Sequence, residues 1–350
     1  MRLLSSAVAL TVLFLAWWAI AHRGPAPLVV YCAHDSIYSE KILRDFEKRT
    51  GIPVAIRFDT EATKSLGLVE LLVAEKNAPR CDVFWNNELL GTMDLADRGI
   101  LEPYKGSGWQ RIPEKFRDAD GRWTGFAARM RVFVFNPAKL FPEQIPMWLD
   151  GDLSRIAIAK PLYGTTLTHY TVLWWALGGD EVKAWHRRVR ERGVEMNGNA
   201  AVKEAVANGI CDIGFTDTDD FFEAKDAGKP VSLAPVRIGD IPPIGRGPRI
   251  STIDPGFSRV IQIPNTVAII RGTKRKTDAA QLVDFLLSEE TELALSHSKS
   301  RQIPLGPVLA EELSPEVHEL VEWSKDAVDL TQLGPARAEC LAWLKSEYLR

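Results

Sequence analysis

Cysteine is scarce and scattered: Cys32, Cys81, Cys211 and Cys340 are the only four in 350 residues, and no two form a C-x-x-C pair. That spacing excludes zinc-ribbon and thiol-redox motifs. Histidine is nearly as sparse, with six, and His169, His186, His297 and His318 fall in expected helices without a second ligand at i+3 or i+4, so they read as structural. There is no basic excess. Forty-three Lys and Arg stand against 46 Asp and Glu, a formal charge of -3, too little positive charge to neutralise a phosphate backbone, so no nucleic-acid partner is expected. Also missing are G-x-S-x-G, H-E-x-x-H and a Gly-rich phosphate loop, and no nucleophile sits beside a plausible base. A catalytic role, with an acidic cluster and His34 as acid and base, therefore has little to stand on. No repeat with the period of a solenoid or propeller occurs.

Only one long apolar run is present, and it comes first. Arg2 precedes Leu3 to Ile20, interrupted by Ser5, Ser6 and Thr11, and Ala19-Ile20-Ala21 forms a small-x-small cleavage pattern. Residues 1–21 thus read as a secretory signal, while the run also reaches the lower limit for a membrane-spanning helix, which leaves an uncleaved N-terminal anchor open. Both readings put the body of the chain in the periplasm or another extracytoplasmic space. Oxidation of the thiols is possible there. Cys32, however, ends one expected strand and Cys81 begins a parallel one, at opposite ends, so buried free thiols are expected.

What is present is an ordinary globular composition, 46% hydrophobic and 25% charged, in a chain too long for one core and well sized for two lobes. Leu28 to Tyr31 reads as a strand, followed by a helix that Asp35 or Ser36 begins and Gly51 ends, with Ile42, Leu43 and Phe46 on one face. A strand over Ile52 to Phe58, a helix carrying Leu68, Leu71 and Leu72, the strand Val83-Phe84-Trp85 and a helix stopped near Gly99 complete a βαβαβ unit. Such a unit makes a parallel sheet with both faces covered, and ligands bind beyond the carboxyl ends of its strands. The loops to inspect are His34-Asp35-Ser36, Asp59-Thr60-Glu61 and Asn86-Asn87-Glu88.

Trp123 to Phe135 is one extended segment, long enough to pass between lobes, in which Ala127, Arg129, Arg131, Phe133 and Phe135 share a face by alternation. A second unit opens with the strand Ile156 to Ala159, a turn at Pro161 to Gly164 and a helix from about Thr165 to Leu177, in which Trp174 and Trp175 read as core. Further helices end at Gly193 and Gly209, the latter begun by Asn197-Gly198-Asn199. The buried strand Ile213-Gly214-Phe215 then delivers Thr216-Asp217-Thr218-Asp219-Asp220 at its carboxyl end. Pro235 to Gly256 reads as a loop, Val260 to Ile263 and Thr266 to Ile270 flank Pro264-Asn265 as a return crossover, and helices over Thr277 to Leu287 and Glu289 to His297 follow. The expected fold is α/β: two lobes, each with a mixed, mostly parallel sheet, joined by a two-strand hinge. Residues 28–127 with 265–310 form the first lobe, 128–264 the second, and 311–350 C-terminal helices.

Several segments in this order resemble the iron-type solute-binding proteins of ABC importers, which belong to the periplasmic binding proteins of the second structural type. Leu28-Val-Val-Tyr31 with Phe46-Glu-Lys-Arg-Thr-Gly-Ile-Pro-Val54 is similar to their opening strand-helix-strand, and Cys81-Asp-Val-Phe-Trp-Asn-Asn-Glu88 to their acidic loop after the third strand. Trp123-Thr-Gly-Phe-Ala-Ala-Arg129 resembles their first crossover, Pro161-Leu-Tyr-Gly-Thr-Thr166 an anion-facing helix start, and Ile263-Pro-Asn-Thr-Val267 the return strand. The likeness spans residues 28 to about 305. It implies a two-lobed binding protein, monomeric, with no tightly bound cofactor, that passes a small-molecule or metal ligand to permease subunits. In ferric members a histidine, a glutamate and a tyrosine pair hold the metal. The first two carry over to His34 and Glu88, whereas the tyrosine positions fall on Thr218, Asp219 and Asp220, where this sequence has no tyrosine.

Asp217, Asp219 and Asp220 lie so close that they repel one another and call for a compensating cation, and with Glu88 they form an oxygen-rich set suited to hard metals. Their alternative role is a helix N-cap with acidic first-turn residues. Gly164, Thr165 and Thr166, and similarly Asn199, precede helices whose free N–H groups suit an anion accompanying the metal, or serve as ordinary helix starts. Arg129 is expected to pair with an Asp of the cluster inside the cleft, as is Arg131. Three classes of function are compatible with these residues: a transport binding protein for ferric ion, another metal or a small organic cation; an enzyme; and a membrane-tethered sensor domain.

Overall fold

The computed structural model describes residues 26–59, 66–241 and 258–349. The expected leader, Thr60-Glu61 and most of the loop expected at 235–256 lie outside the described residues. Strand β1 (Leu28–Cys32) leads into α1 (Ser36–Thr50), whose buried stripe is Ser39, Ile42, Leu43 and Phe46. Gly51 ends it in the left-handed region with its N–H on the Glu47 carbonyl at 2.9 Å, while Lys48 and Arg49 face the negative end of the helix dipole. Then follow β2 (Val54–Phe58), α2 (Leu66–Ala74), β3 (Val83–Asn86), α3 (Leu90–Asp97) and the short β4 (Leu101–Glu102). β1 pairs in parallel with β2 and β3, the arrangement expected of βαβ units.

β5 (Thr124–Phe135) is buried along all twelve residues. After it come β6 (Ile156–Ala159), α4 (Gly164–Leu177), α5 (Gly179–Arg192), β7 (Val194–Met196), α6 (Asn199–Ala207), β8 (Ile213–Asp217), α7 (Thr218–Asp226) and β9 (Ser232–Pro235). β10 (Gln262–Ile270), α8 (Lys276–Leu286), α9 (Glu289–His297), α10 (Pro315–Ser324) and α11 (Gly334–Tyr348) complete the chain. The strands form one path, β2-β1-β3-β10-β5-β8-β6-β7, with β4 on β10 and β9 on β5. β5 is what joins the halves: its first half pairs with β10 and its second half with β8 and β9. A first lobe is built on β1–β4 and β10, a second on β6–β9.

Several expectations need correcting. The expected pair of segments around Pro264-Asn265 is a single strand with a register shift at that point, which lets a Pro sit in a ladder it cannot donate to. The alternation in β5 holds from Arg129 to Phe135 and fails at Ala127, where a bulge puts it among Phe126, Ala128 and Met130 instead of with Phe133 and Phe135. Trp174 is buried, but Trp175 is 40% exposed. β7 and β9 were not expected. The last helix, α11, packs on α4 of the second lobe through Trp343 against Trp174, ring centroids 5.3 Å apart, and reaches the first lobe through Arg337 to Asp97 at 2.6 Å.

Candidate functional site

Between the lobes lies a cleft of about 520 Å³. The first lobe contributes Asp35, Ile37 and Tyr38 from the start of α1 and Asn87 after β3. The second contributes Lys160, Tyr163 and Gly164 to Thr166 before and in α4, Asn199 and Ala200 at the start of α6, and Asp217, Asp219, Asp220 and Glu223 around β8 and α7; Arg129 of β5 also lines the cleft. The loops after β1, β3, β6 and β8 all open here, as the sheet rule requires.

The floor is set by strand register. β5 and β8 run antiparallel with Arg131 directly opposite Asp217, so both side chains leave the sheet on one face. Arg131 Nη1 donates to Asp217 Oδ1 at 2.7 Å, and Asp217 Oδ2 accepts from Thr165 Oγ1 at 2.5 Å and Asn199 Nδ2 at 3.0 Å. Thr166 Oγ1 donates to Asn199 Oδ1 at 3.0 Å. Thr165, Thr166 and Asn199 therefore spend their side chains tying α4 and α6 to β8, and none of them caps its helix. Gly164 begins α4 with φ +52°, a left-handed conformation at which a glycine carries no Cβ penalty. Gly164, Thr165 and Thr166 of that first turn line the cleft.

Asp217, Asp219 and Asp220 each offer a carboxylate oxygen within 4.8 Å of the others. Of the three, Asp217 is committed to Arg131, while Asp219 and Asp220 stand in the first turn of α7, where the helix dipole favours negative charge. Thr216 Oγ1 donates to Asp220 Oδ2 at 2.7 Å. Arg129 is buried, with Nη2 donating to the Asn87 carbonyl at 2.9 Å and Nε 3.6 Å from Asp217 and 3.9 Å from Asp219. Burial pulls its pKa down, but the carboxylates of Asp219, Asp217, Asp35 and Asp220 outweigh this and hold it above the ordinary value. Its charge is fixed.

The structure does not bring His34 and Glu88 into this group. The Gln302 amide nitrogen lies 2.6 Å from His34 Nε2; an amide nitrogen only donates, so that ring nitrogen is an acceptor and its lone pair is used. The ring packs against Trp85 at 5.3 Å and edge-on to Tyr38 at 6.0 Å. Glu88 turns back on its own helix: its carboxylate accepts from the N–H of Leu90 at 2.5 Å and of Gly91 at 2.8 Å, and from Asn86 Nδ2 at 3.0 Å. A Cβ at position 91 would meet the Glu88 carboxylate at 2.7 Å, which is why a glycine stands there. Burial raises the Glu88 pKa, opposed by Gly91, Asn86, Leu90 and Arg337. Glu88 lines a second cavity, about 470 Å³, between α2, α3, α4 and α11.

Tyr38, Lys160, Tyr163 and Glu223 were missed as cleft residues, although Tyr38 lies only two residues past a loop marked for inspection. Tyr38 faces the acidic group from the opposite lobe: burial, then Asp219, Glu223, Asp35 and Asp220, push its pKa above the ordinary phenol value. His169 and His186 are structural, both held below the usual imidazole value by burial, His186 at about 4. The four cysteines are buried and free.

Comparison with known proteins adds the following. An Fe(3+)-binding periplasmic protein of Serratia marcescens is 27% identical over 58% of this chain, a match spanning 60% of that protein's length. Iron uptake protein A1 of a Synechocystis strain is 25% identical over 84% of this chain and 79% of its own. The fold is shared with iron-bound HitA from Pseudomonas aeruginosa (TM-score 0.76, 22% identity, covering 92% of this chain and 99% of that one). It is also shared with AfuA from Actinobacillus pleuropneumoniae carrying fructose-6-phosphate (TM-score 0.72, 18% identity, covering 93% and 99%). The family profile described as "Bacterial extracellular solute-binding protein" matches residues 41–327. This two-lobed α/β chain with its interlobe cleft belongs to the bacterial extracellular solute-binding proteins and is a binding protein, not an enzyme.

Proposed function

We propose that this chain is the exported solute-binding component of an ABC-type importer: it captures a small positively charged solute in the interlobe cleft and delivers it to permease subunits. The lobes that close are residues 28–127 with 265–310 and 128–264, the C-terminal helices 311–350 riding mainly on the second. A metal ion accompanied by an anion, ferric ion first among them, is the leading solute, and the iron-named relatives support it. The observation that carries the reading is the carboxylate pair Asp219 and Asp220 on one lobe, with Asp35 and Tyr38 lining the same cleft from the other. Hard cations take oxygen donors of this kind, and the uncapped first turns of α4 and α6 beside Lys160 suit the accompanying anion.

A small organic cation is the second reading. The cleft is large for a bare ion and within the range of small-molecule sites, with Ile37, Tyr38 and Tyr163 as an apolar wall. Elemental analysis and native mass spectrometry of protein purified without chelators, followed by calorimetric titration with ferric citrate, manganese(II), zinc(II) and spermidine, separates the two. Both fail if no cation binds, or if Asp219→Asn and Asp220→Asn leave binding unchanged.

A further inference from the structure

β5 carries one residue out of line where it passes between the lobes. Its pairing with β10 skips Ala127: Pro264 faces Ala128, and Asn265 faces Phe126. Ala127 is therefore the extra residue of a β-bulge, a device that bends a strand and re-aims the side chains beyond it. Its φ is +38°, a left-handed conformation that a residue with a Cβ enters at a disadvantage of roughly fivefold or more in any equilibrium.

Such a conformation persists only where the surroundings over-determine it. Here both backbone groups of Ala127 are clamped by side chains from other elements. Its N–H donates to Glu292 Oε1 at 2.8 Å, and its carbonyl accepts from Asn265 Nδ2. Glu292 is fully buried and is itself held by Arg111 at 2.5 Å and by the N–H groups of Leu305 at 2.8 Å and Gly306 at 3.0 Å. Asn265 also donates to Gln302 at 2.8 Å.

Two residues further on, Arg129 joins Asn87 of the first lobe to the acidic group of the second. Contacts elsewhere also span the lobes: Thr168 to Glu88 at 3.4 Å, Arg301 to Asp226 at 2.9 Å and Arg337 to Asp97 at 2.6 Å. Together these contacts tie the two lobes to each other in the conformation described. A hinge needs only a few residues at element ends to absorb the φ/ψ change, and in this crossing the strained residue is Ala127.

We propose that Ala127 is a positioning residue of the binding cleft: its clamped left-handed bulge aims Arg129 into the cleft when the lobes are closed, and the hinge opens by letting this residue relax toward extended backbone. The inference rests on the closing-cleft reading above. Ala127→Gly removes the Cβ penalty of the closed form, so ligand-free small-angle scattering should shift toward the compact state, the closed-to-open ratio rising about fivefold. Affinity for whichever of ferric citrate, manganese(II) or spermidine titrates the wild type should tighten by up to the same factor.

Asn265→Ala, which frees the Ala127 carbonyl, should move both measurements the other way, and combining it with Ala127→Gly should bring the balance back. A merely structural Asn265 would not be rescued in this way. If Asn265→Ala does not fold, Ala127→Gly decides alone. A wild type that compacts with a probe, beside an Ala127→Gly variant whose ligand-free profile superimposes on the wild type, overturns this inference and leaves the closing cleft intact. A wild type that compacts with none of the probes overturns both.

Discussion

Replacing Asp217 by Ala separates a buttress from a ligand inside the acidic group. Arg131 is fully buried, and its Nε and Nη2 have no hydrogen-bond partner among the described residues. Asp217 is the carboxylate paired with it, at 2.7 Å. Removing that carboxylate leaves a guanidinium charge buried without compensation, a change that costs about 3–5 kcal/mol. At roughly 2–4 °C per kcal/mol for chains of 150–250 residues, and less for a longer one, the melting temperature should fall by about 10 °C. Thr165 and Asn199 lose their common acceptor in the same step, which adds to the loss.

Asp219→Ala and Asp220→Ala should behave differently. Each removes a first-turn acidic residue of α7, so the ligand-free protein loses about 0.5–1 kcal/mol or less. The rise in melting temperature produced by a bound cation should largely vanish; ligand at a hundredfold its dissociation constant stabilises by about 2.7 kcal/mol, so the lost rise is measurable. Differential scanning calorimetry of the three variants, first with chelator and then with saturating cation, reads both quantities. If Asp217→Ala melts within a degree or two of wild type and loses the cation response, Asp217 is a ligand and the reasoning from register is refuted.

Glu88→Ala should cost about 1–3 kcal/mol by orphaning the N–H groups of Leu90 and Gly91, while the cation response survives; loss of that response in thermal melts would return Glu88 to the ligand set. The pH dependence has a definite sign. Burial raises the folded pKa of Glu88, so the stability gained on protonation is fully present below the unfolded glutamate value and is lost as pH rises through the folded one. Urea melts should therefore show wild type gaining on Glu88→Gln as pH falls toward the unfolded glutamate value. Arg301→Gln and Arg337→Gln together should shift ligand-free scattering toward an open form by a few-fold, since partly exposed ion pairs contribute about 1 kcal/mol or less each. The four thiols should be inert to a disulfide reagent at pH 8 until denaturant is added, Cys32 being pushed up to about 12 by burial.

Elements carried by strong local patterns were legible. The strand Ile156–Ala159 and the helix Glu289–His297 lie where apolar runs, helical spacing and flanking breakers put them. β7 was not, because Val194-Glu195-Met196 is too short to show a period, and β9 was not, because Ser232 to Pro235 ends in a residue that reads as loop. The bulge at Ala127 was beyond local reading: it exists only in relation to Asn265, far along the chain, and its clamps come from α9 and β10. The strand-end rule marked three loops: those around Asp35 and Asn87 contribute to the cleft, Asp59 is not among its lining residues, and Thr60-Glu61 lie outside the described residues. Which of three neighbouring aspartates is spent on Arg131 depends on the register between β5 and β8, and no spacing within either strand reveals a register.

The missing tyrosine pair has a structural counterpart. Thr218, at one of those positions, accepts the N–H of Met130 in β5 on its hydroxyl oxygen, at 3.3 Å, and so serves the hinge strand. The phenols that line the cleft are Tyr38, from the first lobe, and Tyr163, at the start of α4. Burial first, and the acidic surroundings with it, raise the pKa of Tyr38 and keep it a neutral hydrogen-bond donor at neutral pH. The same surroundings set a condition on closure. Asp35 belongs to one lobe and Asp219, Asp220 and Glu223 to the other, so bringing the lobes together brings like charges together, with the charge of Arg129 opposing that repulsion. A cation seated among these carboxylates turns the repulsion into attraction, and it does so far more in the closed form, where both lobes contribute, than in an open one. A ligand shifts a conformational equilibrium only by its difference in affinity for the two states. On the reading proposed above, that difference comes from charge divided between the lobes, so capture of a cation and closure of the hinge would be coupled.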